Sequence, residues 1–110
     1  MDIKNYFISD DLELEDLGNG IKRKITAYND SLMCVEVHFE EGAIGAEHTH
    51  PHEQITYIIS GEFEFNVGGK KMLLKAGDTT FKQSGVLHGA VCKKKGVLLD
   101  IFTPCRQDFL

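Results

Sequence analysis

Residues 42–61 read G-A-I-G-A-E-H-T-H-P-H-E-Q-I-T-Y-I-I-S-G, and the rest of the chain is organised around them. The stretch holds three of the five histidines. His48 and His50 are two apart, so in an extended strand their imidazoles share a face and converge. The strand that follows adds Gln54, and His88 lies downstream at a similar strand edge near Gly85. Neutral imidazole is the commonest nitrogen ligand of divalent transition metals. Two histidines alone could be a solvated polar face. Four donors, each near a strand edge and bracketed by glycines, predict a metal site. His52 has the strand parity of His48 and His50, but Pro51 interrupts the strand between them.

Outward from this stretch the chain reads as strands and turns. Gly18-Asn19-Gly20 is turn chemistry, because both residue types tolerate positive φ. Ile21–Tyr28 is β-rich, and Asn29-Asp30-Ser31 turns it. Met33, Val35, Val37 and Phe39 then alternate with Cys34, Glu36 and His38, which puts His38 on the outer face. After the histidines, Ile55–Ile59 is followed by an expected turn at Ser60-Gly61. Phe63–Val67, a Gly68-Gly69 hairpin loop, Met72–Lys75 and Thr79–Lys82 follow. Ala90–Cys92 and Val97–Phe102 are expected to flank a solvated hairpin tip at Lys93–Gly96. No window has sustained helical periodicity, so eight or nine short strands predict an antiparallel sandwich or barrel.

The totals narrow the function. At 110 residues, 42% hydrophobic and 26% charged, the chain is expected to form one globular domain. A net charge of −5 argues against nucleic acid or an anionic membrane as partner. An anionic small molecule would have to be drawn in by local positive charge. No apolar run reaches the roughly 18 residues of a membrane span, and M-D-I-K-N-Y-F lacks the layout of a signal peptide. Cys34, Cys92 and Cys105 have no metal or redox spacing and read as reduced, non-catalytic thiols of a cytoplasmic protein.

With these motifs in place the chain resembles the cupins. Their first motif is Gly, five residues, H-x-H, three or four residues, usually Glu, six residues, Gly. Gly42, His48, His50, Gln54 and Gly61 fall on those spacings, with Gln54 in place of Glu. The second motif is Gly, five residues, P-x-G, two residues, His. Gly77, Gly85 and His88 match it, and Gln83 stands where Pro is usual. The resemblance implies an all-β, single-domain, double-stranded β-helix, or jelly-roll barrel. It comprises a lead-in over 1–20, the barrel over 21–103 and a C-terminal segment over 104–110. It also implies one divalent transition metal (nickel, zinc, manganese or iron) on His48, His50, Gln54 and His88. A homodimer is expected on the same ground.

The run H-T-H-P-H-E-Q and the ending L-L-D-I-F-T-P-C-R-Q-D-F-L are similar to the KdgF-type cupins of pectin and alginate breakdown. That likeness implies linearisation of 4,5-unsaturated uronate monosaccharides, with Asp100, Phe102 and Arg106 completing the site. On the residues alone, Phe102 reads as core and Arg106 as surface. Asp100 is less ordinary, since a carboxylate in so apolar a strand is costly without a partner or a purpose. A Gln ligand leaves the metal's positive charge uncompensated, which favours an anionic substrate over a higher oxidation state. The alternatives are a metal-dependent cupin oxygenase and a non-catalytic sugar-acid-binding cupin.

Overall fold

The computed structural model describes residues 4–110, so residues 1–3 of the expected lead-in lie outside it. Eight strands follow in order: β1 (Glu15–Gly18), β2 (Ile21–Tyr28), β3 (Met33–Phe39), β4 (Ile44–His48), β5 (Glu53–Val67), β6 (Lys70–Lys75), β7 (Thr79–Lys82) and β8 (His88–Thr103). Among the described residues only Ser9–Asp11 and Gln107–Phe109 are helical, each a single 3-10 turn. Every strand pairing is antiparallel.

The two long strands make the architecture. β5 has 15 residues and β8 has 16, against a usual length of about 5–6. The first half of β5 pairs with β7 and with the far half of β8, as in Gln54 opposite Phe102. Its second half pairs with β6 and with the near half of β8, as in Phe63 opposite Cys92. β2 and β3 extend one layer from β8, and β4 extends the other. Two antiparallel layers therefore share two bent strands, which is the jelly-roll barrel that the resemblance implies.

At the bends the structure corrects the reading of the sequence. Ser60-Gly61 is not a turn, and Lys93–Gly96 is not a hairpin tip. Both lie inside continuous strands, where the β5–β8 register shifts repeatedly between Ile58 and Phe63. Gly61 has φ 84, and a Cβ on it would sit 2.5 Å from the Lys94 carbonyl oxygen. A Cβ on Gly96 would collide with the Ser60 carbonyl. The facing glycines let the two backbones cross at contact distance, so turn-type residues serve as bulges. The lysines are solvated as expected, with Lys94 3.6 Å from Glu62 and Lys95 3.5 Å from Glu40. The strands also begin earlier than expected, because β1 pairs Glu15 with Arg23 inside the lead-in.

Alternation in β3 buries Met33, Val35, Val37 and Phe39 and turns Cys34, Glu36 and His38 outward. The His38 ring lies 2.6 Å from Glu36 on that outer face. Phe39 meets Phe63 edge-on at 5.2 Å, and Phe63 has no exposed surface. Burying such a ring contributes about 1.5–3 kcal/mol. Gly68 and Gly69, φ 60 and 87, close the β5–β6 hairpin with two residues, as their chemistry requires. The three cysteines are free, and burial raises the Cys92 and Cys105 thiols. Thiols so raised are poor nucleophiles. No helix among the described residues is long and apolar enough to cross a membrane.

Candidate functional site

The cavity is lined from β3, β4, β5, β7 and β8, among other segments. His48 ends β4 and faces His88, the first residue of β8, as its cross-strand partner. The chain then leaves the strand, places the buried His50 beside His88, and returns as β5 at Glu53. The His88 ring centre is 4.5 Å from that of His48 and 4.8 Å from that of His50. One ring nitrogen from each of the three lies within 4.8 Å of the others. His52 does not join this cluster: its ring stands 5.5 Å behind His50 and edges Phe102.

Backbone contacts decide which nitrogens face inward. Nδ1 of His48 lies 2.8 Å from the Ala46 carbonyl, that of His50 3.0 Å from His52, and that of His88 3.0 Å from Val86. A carbonyl only accepts, so each Nδ1 carries the hydrogen and each Nε2 presents a lone pair. Burial lowers the pKa of His50, and lowers that of His88 to about 4, so both rings stay neutral. The buried Nε2 of His88 has no hydrogen-bond partner. Oε1 of Gln54 lies 2.9 Å from Nε2 of His50, which sets two acceptors face to face. Orphaned and opposed lone pairs on neutral donors fit a divalent cation.

The structure brings Asp100, Phe102 and Arg106 to the walls of the same cavity, whose volume is about 160 Å³. That is below the ~300–1,000 Å³ of drug-sized pockets and suits a small ligand. In β8, Leu98, Asp100 and Phe102 face inward, with Leu98 and Phe102 buried. Asp100 Oδ1 accepts a hydrogen bond from the Thr56 hydroxyl at 2.5 Å. Phe102 is an apolar wall, 5.7 Å from the His50 ring. Arg106 is buried rather than exposed. Its guanidinium donates to Asp108 through Nε at 3.0 Å and Nη2 at 2.8 Å, and lies 4.2 Å over Phe109. That hydrogen bond holds the Asp108 carboxyl below its usual range.

Three cavity residues escape a reading of the sequence. Lys82 is 1% exposed, donates to the Thr56 hydroxyl at 2.6 Å and lies 4.9 Å from the Phe65 ring centre. Burial pushes its pKa down to about 8, against the opposing pull of Asp100. Thr56 itself is buried between them. Arg23 also lines the cavity, with its guanidinium 4.1 Å from the Phe109 ring centre and 3.4 Å from Glu15. In T-T-F-K the apolar Phe81 looks like the inward residue, which hides Lys82. The structure exposes Phe81 and turns Lys82 in. The usable signal was register: Lys82 pairs directly with Gln54.

Residues 35–102 match the cupin domain. The chain belongs to the cupin family. This cupin is 47% identical to the pectin degradation protein KdgF of Dickeya dadantii (strain 3937), over 98% of this chain and 100% of that one. Among solved structures, an RmlC-like cupin from Shewanella frigidimarina NCIMB 400 superposes with a TM-score of 0.95 at 42% identity, covering 98% of this chain and 97% of that one. KdgF from Halomonas sp. superposes with a TM-score of 0.94 at 37% identity, covering 98% of this chain and all of that one.

Proposed function

We propose that this cupin takes part in pectin or alginate breakdown by opening the ring of 4,5-unsaturated uronate monosaccharides to give linear 4-deoxy-5-keto uronates. The observation that carries the reading is the set of cationic side chains in the cavity. Lys82, Arg106 and Arg23 line it with the carboxylate Asp100, in a chain whose net charge is −5, and Arg106 and Arg23 are paired with Asp108 and Glu15. Such a pocket suits a small anion, and the likeness to a pectin degradation protein supports one derived from pectin.

The reaction is redox-neutral. Loss of the anomeric hydroxyl proton forms the C1 aldehyde as the bond from C1 to the ring oxygen breaks. The electron pair goes to that oxygen as an enolate, and a proton added at C4 leaves a ketone at C5. His48, His50, Gln54 and His88 would hold one divalent metal, with nickel, zinc, manganese and iron all compatible with a step that needs no redox change. When bound, such a cation supplies Lewis-acid stabilisation of developing negative charge. Asp100 carries the proton, with its Oδ1 anchored by Thr56. Phe102 walls the sugar and excludes water. Arg106 still has N–H groups not engaged by Asp108 to offer the substrate carboxylate.

The test is to incubate metal-loaded protein with unsaturated uronate and follow the ultraviolet absorbance of the conjugated enol. Its loss without oxygen consumption supports the reading. Oxygen uptake would point to an oxygenase, and tight binding without turnover to a sugar-acid-binding cupin. The free cysteines suit a cytoplasmic setting. A homodimer fits the outer face of β5, where Ile55, Tyr57 and Ile59 are exposed and Ile55 pairs with the exposed Phe81.

A further inference from the structure

Position 54 holds Gln where the cupin pattern usually has Glu, and the surroundings give a physical reason. The Thr56 hydroxyl has three partners: Asp100 Oδ1 at 2.5 Å, Lys82 Nζ at 2.6 Å and Gln54 Nε2 at 3.1 Å. A hydroxyl has one hydrogen and two acceptor lone pairs. A carboxylate only accepts, so the hydrogen goes to Asp100. An ammonium only donates, so Lys82 takes one lone pair. The remaining lone pair needs a donor from residue 54. Glutamine has an N–H to give, and an ionised glutamate has none. Once the amide nitrogen is committed to Thr56, its oxygen must point the other way, and it does so towards His50 at 2.9 Å.

We infer that Thr56, held between Lys82 and Asp100, is a positioning residue that selects glutamine at 54 and aims its amide oxygen at the histidine cluster. The inference rests on reading that cluster as a metal site. The Thr56 hydroxyl bonds Gln54, Asp100 and Lys82 rather than any of the three histidines, and it acts through Gln54. Groups that orient a ligand in this way typically change metal affinity by about 10–100-fold when removed.

The test measures metal affinity by chelator competition, without turnover. Thr56→Val keeps the shape and deletes the hydroxyl, and it should weaken binding about 10–100-fold. Thr56→Ser keeps the hydroxyl and should bind as the wild type does. In a Gln54→Ala background, Thr56→Val should cause no further loss, because the group it orients is already gone. Equal losses in both backgrounds, or no loss in the single variant, overturn the inference. A second measurement needs no variant. In the wild-type apoprotein the Gln54 side-chain amide protons should exchange slowly and show a through-space contact to the Thr56 methyl. Free exchange with water overturns the inference. A wild type that binds no metal defeats the metal reading instead, while the amide measurement still decides the orientation.

Discussion

Lys82→Met should change how stability depends on pH, and the size of the change follows from the burial of Lys82. Lys82 is 1% exposed, and burial takes its pKa from the ordinary 10.5 to about 8. At about 1.4 kcal/mol per pH unit, that displacement corresponds to roughly 3 kcal/mol. The sign is set by which state holds the proton. Below about pH 8 the folded and unfolded chains both carry it, and the whole burial cost is present. Between about 8 and 10.5 the folded protein has released the proton and the unfolded chain has not, so stability rises with pH. Above 10.5 the cost is gone. Urea melts of metal-stripped wild type and variant, at about pH 7, 9 and 10.5, should therefore show the wild type gaining about 3 kcal/mol on the variant across that window. All groups other than Lys82 are common to both proteins, so their contributions cancel in the comparison. At pH 7 the variant also leaves Asp100 without its neighbouring cation, an opposing cost. The slope is the informative quantity, and a difference that is flat with pH would refute the reasoning.

Asp100→Asn should retain metal and fold while kcat falls by about 10²–10⁴-fold, and steady-state kinetics with metal analysis checks this. Arg106→Ala should raise KM more than it lowers kcat, because an anchor for the carboxylate acts alike in ground and transition states. Gly61→Ala should cost about 2–5 kcal/mol in urea unfolding, since φ 84 strains an L-residue and the new Cβ meets backbone at 2.5 Å. A loss below about 1 kcal/mol would show that the β5–β8 crossing can relax. Tyr57→Glu should leave a sedimenting dimer as monomer at fixed concentration, and an unchanged mass would free that face from the interface.

The parts of this fold that follow from local rules were legible in the sequence. Alternation in β3 gives the inward row from Met33 to Phe39, and Gly68-Gly69 gives its hairpin. The spacing of His48, His50 and His88 points to the cluster: His48 and His88 meet as cross-strand partners, while His50 lies past the end of β4, where strand parity no longer applies. What failed depends on distant backbone. Ser60-Gly61 and Lys93–Gly96 have turn chemistry, and only the crossing of β5 over β8 turns them into bulges within long strands. Lys82 fails for a related reason. Its neighbour Phe81 is the more apolar residue, and nothing local says that the lysine faces a carboxylate and a hydroxyl inside the barrel. Arg106 reads as surface for want of Phe102 and Phe109, which are brought against it by the C-terminal segment.

Charge separates the interior of the barrel from its exterior. The acids that give the chain its negative total include Asp10, Asp11, Glu13, Glu40 and Glu41, all exposed. Inside, His50 and His88 are held neutral by burial, and Gln54 adds an amide rather than a carboxylate. Lys82 is offset by Asp100 and Arg106 by Asp108, so a divalent cation on these neutral donors would leave the cavity with excess positive charge. Where solvent is largely excluded, that excess attracts an anion more strongly than it would in water. A glutamate at 54 would cancel part of it and would face a hydroxyl with no hydrogen left to give. The same substitution would thus weaken both the attraction for an anionic substrate and the orientation of the fourth donor. Within this cavity, glutamine satisfies both requirements at once.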